Sequence, residues 1–132
     1  MNSLKLQYIL ERIIKPPCKF LGVFAKDKIP LTMTSYPCCF VANTDISSMS
    51  GEHWVAYFYD SPQSYEFFDS YGMPPQVYGF VSVNNYNRKS LQSLTSSVCG
   101  QFCLFYLYLR SRGFTLNQIL NSFSSSDSSW ND

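Results

Sequence analysis

The chain has 132 residues, of which 45% are hydrophobic, 17% aromatic and 14% charged, with a formal net charge of +1. That length fits one domain with a single core, and so apolar and weakly charged a composition excludes a disordered chain. The longest apolar run, Phe102 to Leu109, is far short of the roughly 20 residues a membrane-spanning helix needs, so no membrane partner is expected.

In chain order, Leu4, Tyr8, Ile9 and Ile13 share one side of an amphipathic helix over residues 3–14, with Ser3 as its N-cap and Pro16-Pro17 as its stop. Lys5, Glu11 and Arg12 early in the chain are not tolerated by a secretory leader, so an intracellular domain is expected. Residues 1–30 hold six Lys and Arg, whereas residues 31–87 hold none but carry Asp45, Glu52, Asp60, Glu66 and Asp69. This reads first as a solvated basic face. Lys15, Lys19, Lys26 and Lys28 allow at most weak contact with nucleic acid, because the overall basicity of a dedicated binder is missing.

Phe20 to Pro30 reads as loop or short strand, and Cys39 to Thr44 as a short strand followed by a turn-rich stretch. His53 to Tyr59 and Tyr65 to Asp69 read as two strands of an antiparallel hairpin turning at Asp60 to Ser64. A helical turn is expected around Gln76 to Phe80 and a strand from Tyr86 to Gln92. Val98 to Leu109 is apolar nearly all round, the mark of a buried helix, with Arg110 and Arg112 in its last turn and Gly113 beyond it. Thr115 opens a shorter helix through Leu120. Residues 1–123 therefore form a single domain and the Ser-rich residues 124–132 a flexible tail.

Five cysteines, an odd number, suit a reducing compartment with free thiols. Their spacing, with one histidine in the chain, does not make a structural zinc site, and no metal ligands are assigned. Cys99 stands where Ser96-Ser97-Val98 hands over to the apolar helix, a place where unpaired amides and the helix dipole favour thiolate. Gly100 leaves space beside the sulfur, and the nearby N–H groups can hold an oxyanion. Taken alone, Cys99 reads as well as a buried core cysteine.

His53, the sole histidine, usually would be a packing residue, but a hairpin centred on Ser61 sets it across from Asp69. A two-residue change of register keeps both on one face, whereas a one-residue slip separates them. A carboxylate held against one ring nitrogen leaves the other free to act as a base. Gln92, seven residues before Cys99, is a candidate second oxyanion donor, although judged alone it reads as a surface glutamine.

Four stretches, Phe20–Phe24, Gly51–Ala56, Phe67–Gly72 and Gln92–Cys103, resemble the adenovirus-type (adenain) cysteine proteases, in the clan that also contains the SUMO-specific proteases. The order His, acid, Gln, Cys is the family's, and the likeness extends over about residues 20–109. The resemblance implies an α+β papain-like fold of adenain type, a mixed sheet packed on a buried helix that carries the nucleophile. It implies Cys99 as nucleophile, His53 as base then acid, Asp69 as its orienter and Gln92 as oxyanion donor, with Gly51, Trp54 and Gly100 beside the substrate. It further implies cleavage of viral precursor or structural proteins after small residues such as glycine, by a monomer working in the host nucleus or virion. Deconjugation of ubiquitin-like proteins and a catalytically silent viral module are the alternatives.

The sequence departs from the adenovirus pattern in its acid, Asp69 rather than the usual Glu, as in the SUMO-protease branch. It also lacks a cysteine between Cys39 and Cys99, where the adenovirus enzyme offers a thiol to an activating peptide. No cofactor is therefore required, with an activating peptide or DNA left as an accessory stimulus. The short form looks more like proteases of adenovirus-related or Polinton-type elements.

Overall fold

Alternating residues along the central strands sort the molecule into two layers on either side of one sheet. The computed structural model describes residues 2–45, 53–83, 85–91 and 98–123. In chain order it has α1 (Ser3–Ile13), β1 (Lys19–Phe24), β2 (Cys38–Asn43), β3 (Trp54–Ser61), β4 (Ser64–Phe68), α2 (Cys99–Ser111) and α3 (Leu116–Asn121). Short 3-10 turns cover Lys26–Lys28 and Pro75–Tyr78. The sheet order is β1-β2-β3-β4, with β1 parallel to β2 and the other pairs antiparallel. The sheet is mixed, as expected.

Cys39 and Val41 of β2, Ala56 and Phe58 of β3 and Phe68 of β4 face the helices, where they meet Leu6 and Leu10 of α1 and Phe102, Cys103, Tyr106 and Leu107 of α2. Phe68 and Tyr106 stack with ring centroids 4.5 Å apart. The intervening residues Phe40, Ala42, Val55, Tyr57 and Phe67 face the other way, under a cover of Met33, Tyr78, Phe80 and Val83. Burial on both faces explains why β2 is apolar from Cys38 to Ala42 instead of alternating with polar residues.

Element ends follow capping chemistry. Asn2, not Ser3, caps α1, its Oδ1 accepting the Lys5 N–H at 2.8 Å. The start of the helix is thus one residue earlier than the Ser signal suggested, because asparagine accepts from the third residue on as well as serine does. Thr115 caps α3 in a reciprocal box with Gln118. Gly113, at φ +97°, follows α2 in the left-handed region.

The expected strand at Tyr86 to Gln92 is not one over its described part. Tyr86 makes a single parallel bridge to Phe67, and residues 87–91 run on irregularly. Their hydrogen bonds go to the loop after β4 instead of to a ladder, as described below. None of the five cysteines forms a disulfide, and all are buried. Cys18 and Cys39 bring their sulfurs to 3.8 Å in the helix-side core.

Candidate active site

The hairpin register decides which polar groups meet at the end of the sheet. Ala56 pairs with Phe68 and Tyr57 with Phe67, so the same register continued outward sets His53 across from Tyr71 and not Asp69. The turn is Pro62-Gln63, with Ser61 opposite Ser64, and a bulge between Tyr59 and Ser61 takes up one residue, so that the partner of His53 moves by two residues relative to a turn centred on Ser61. Parity is preserved, and the two side chains still meet: His53 Nε2 lies 2.6 Å from Asp69 Oδ1. Tyr71 stacks on the imidazole, centroids 4.5 Å apart and planes 17° from parallel.

Asp69 is completely buried, yet its carboxylate is fully engaged. Oδ1 also accepts the Tyr71 N–H at 3.1 Å, while Oδ2 accepts the Met73 N–H at 3.2 Å and the Tyr78 hydroxyl at 2.5 Å. Donors on every side let a carboxylate stay charged where water is excluded. The tight loop that supplies them closes with the Gly72 N–H on the Asp69 carbonyl at 2.8 Å. Gly72 has φ +76°, and a Cβ there would come within 2.7 Å of the Lys89–Ser90 main chain, so only glycine fits.

The second imidazole nitrogen, Nδ1, is buried without a hydrogen-bond partner among the described residues. The thiol that interacts with the ring is Cys99, the first residue of α2. No side chain caps that helix, so its first-turn amides are not taken up by a capping oxygen. Trp54 straps the same turn to β3: its amide approaches the Cys99 sulfur, and its carbonyl accepts from Cys103 Sγ at 3.3 Å.

Burial by itself pushes the Cys99 thiol up, but His53 and the amides of Trp54 and Gly100 outweigh it and hold the thiol below its ordinary value. Burial likewise pushes His53 down, and the Asp69 hydrogen bond, with Cys99, lifts it to about 9. The two shifts point to one state, a thiolate beside an imidazolium.

Of the residues singled out from sequence, His53, Asp69, Cys99, Trp54 and Gly100 come together here. Gly51 and Gln92 lie outside the described residues. Tyr78 and Asn87 were missed, because Tyr78 sits in a single 3-10 turn and Asn87 in an irregular segment, both too short for any periodicity to mark a residue as inward-facing. Tyr71 fell inside a motif, but nothing in the sequence told that its ring lies on the imidazole.

The chain is similar to the protease of porcine adenovirus A serotype 3, 30% identical over an alignment of 111 positions that covers 67% of this chain and 54% of that protein. Among solved structures it is similar to the crystal structure of the ASFV pS273R protease, with a TM-score of 0.50 and 22% identity over 75% of this chain and 43% of that one. The chain spans about half the length of these relatives. No protein-family model matches it. With its mixed sheet, flanking helices and Cys99 at the head of α2, the chain has the α+β fold of the adenain-type, papain-like cysteine proteases.

Proposed function

We propose that the chain is a cysteine endopeptidase that acts on protein substrates through Cys99, His53 and Asp69. The observation that carries this reading is a division of labour on one ring. Asp69 holds Nε2 of His53, and Nδ1, without a hydrogen-bond partner among the described residues, lies beside a thiol whose ionisation is favoured. The similarity to an adenovirus protease supports it.

In the proposed reaction the Cys99 thiolate adds to the scissile carbonyl carbon, and the carbonyl oxygen takes up the negative charge. The Cys99 main-chain N–H and the Gln92 side chain hold that oxygen. As the tetrahedral intermediate collapses, the C–N bond breaks and the leaving amine takes the proton from His53 Nδ1. Water then gives a proton to Nδ1 and attacks the thioester, and the thiolate departs beside the re-formed imidazolium. Asp69 fixes the ring and stabilises its charged form throughout. The resemblance carried by Gly51–Ala56 and Gln92–Cys103 supports viral precursor proteins as substrates, cut after small residues such as glycine.

Cleavage-site mapping tests the proposal. Wild type and Cys99→Ala are incubated side by side with capsid precursors and with ubiquitin-like conjugates. Cuts after glycine in the precursors, made by wild type alone, are expected. Release of ubiquitin-like proteins alone would make this a deconjugating enzyme. No cleavage, together with no labelling of Cys99 by a thiol-reactive peptide, would leave a non-catalytic module.

A further inference from the structure

Where β4 ends at Phe68, the sheet ladder stops one residue short of Asp69. The next peptide groups are buried and need partners, since an unpaired buried N–H or C=O costs about as much as a lost hydrogen bond. A side chain supplies them. Asn87 Oδ1 accepts the Asp69 N–H at 2.9 Å, and Asn87 Nδ2 donates to the Asp69 carbonyl at 2.5 Å and to the Lys89 carbonyl at 3.3 Å. A carboxamide carries donor and acceptor in one plane, as a peptide group does, so Asn87 stands in for the neighbouring strand that Asp69 lacks.

The surroundings show that this bracket has a specific target. Asn87 is completely buried, and two of its three bonds end on the peptide groups of the acid itself. The segment that carries it is held on either side by the Phe67 N–H on the Asn85 carbonyl at 3.0 Å and the Leu91 N–H on the Ser70 carbonyl at 2.7 Å. Tyr71, Met73 and Tyr78 hold the carboxylate, while Asn87 holds the main chain from which it projects.

We propose that Asn87 is a positioning residue for the protease reaction, clamping the Asp69 main chain and so setting where the carboxylate meets His53. This rests on the protease reading of the site, but part of its test does not. The groups facing the imidazole are Asp69, Cys99, Tyr71 and Tyr78. A carboxylate drawn away from Nε2 leaves the ring a poorer proton holder whether or not the chain hydrolyses anything.

The experiment follows His53 by NMR titration and peptide hydrolysis by kinetics in wild type, Asn87→Ala, Asn87→Asp and Asn85→Ala, each checked for folding by thermal melting. Asn87→Asp keeps the shape and the acceptor but sets an oxygen against the Asp69 carbonyl, and it serves if the alanine variant does not fold. Both Asn87 variants are expected to lower the His53 pKa from about 9 towards its ordinary value. They should reduce kcat by about 10- to 100-fold with little change in KM. Asn85→Ala, in the same segment but bonded to Glu66, should change neither. Folded Asn87 variants with the wild-type His53 titration overturn the inference. An inert wild type whose His53 titration still falls in the variants would sink the protease reading and keep the clamp.

Discussion

Two buried carboxylates, three residues apart on the same hairpin, have opposite fates. Glu66 points to the helix side of the sheet, where it accepts from the Tyr106 hydroxyl at 2.5 Å, Arg110 Nε at 2.8 Å and Asn85 Nδ2 at 3.1 Å. Arg110 is itself completed by Asp60 at 2.9 Å. In this cluster the charges meet complementary charges and donors, and none is turned towards a nucleophile. Asp69 points to the other side and is as well satisfied, but Nδ1 of its partner His53 has no hydrogen-bond partner among the described residues and faces the Cys99 thiol. Burial and ion pairing are common to both places. The difference lies in one ring nitrogen turned to a thiol, and that separates a brace from a reaction centre.

Substitutions that break this contrast should rank accordingly. The largest effect is expected from Cys99→Ser, which keeps size and burial but removes the thiolate: peptide hydrolysis should fall by about 10⁴-fold or more, with an unchanged melting temperature. Asp69→Asn comes next, keeping the shape while removing the charge that favours imidazolium. Rates should drop by about 10²- to 10⁴-fold.

The pH profile sharpens that second test. In wild type the rate should climb as the lowered Cys99 thiol ionises and decline as His53 loses its proton near pH 9, since a neutral ring has no proton for the leaving amine. His53 is raised above its ordinary value, so its protonated form persists below about 9 and is lost above it. Without the Asp69 charge the alkaline limb should move to lower pH. A limb that stays in place would show that Asp69 does not control the ring.

On the other face, Glu66→Gln should leave hydrolysis intact and cost stability instead. Removing one partner of a buried charge cluster is worth about 1–3 kcal/mol here, because Arg110 keeps Asp60, and thermal or urea melting would measure it. Smallest is Asp60→Asn, whose half-exposed carboxylate should contribute about 0.5 kcal/mol or less.

Much of this contrast could be read in advance, for a definable reason. Parity along a strand survives a two-residue change of register, and the bulge between Tyr59 and Ser61 holds the change to two although the turn is Pro62-Gln63, so His53 and Asp69 could be joined. The apolar run into Cys99 marked α2 because a buried helix needs no periodic polar face. Arg110 stands in the last turn of α2, where a cation favours the helix end, yet it turns to Glu66, a contact 44 residues away that no local rule foresees. The composition of residues 86–92 predicts a strand, yet the hydrogen bonds of residues 85–91 go to Phe67, Asp69 and Ser70 in an irregular order. Tyr78 and Asn87 escaped notice for the same reason: their roles come from tertiary contacts, which leave no repeat in the chain.

Gly72 gives that last segment a further meaning. The acid loop and the strip around Lys89 lie against each other there with no room for even a methyl group, like two plies glued face to face. Any side chain at this point would act as a wedge, parting the strip from the loop and loosening the proton-holding apparatus without touching any atom of it. A hydrogen atom at position 72 is thus part of how an imidazole several residues away is kept in aim.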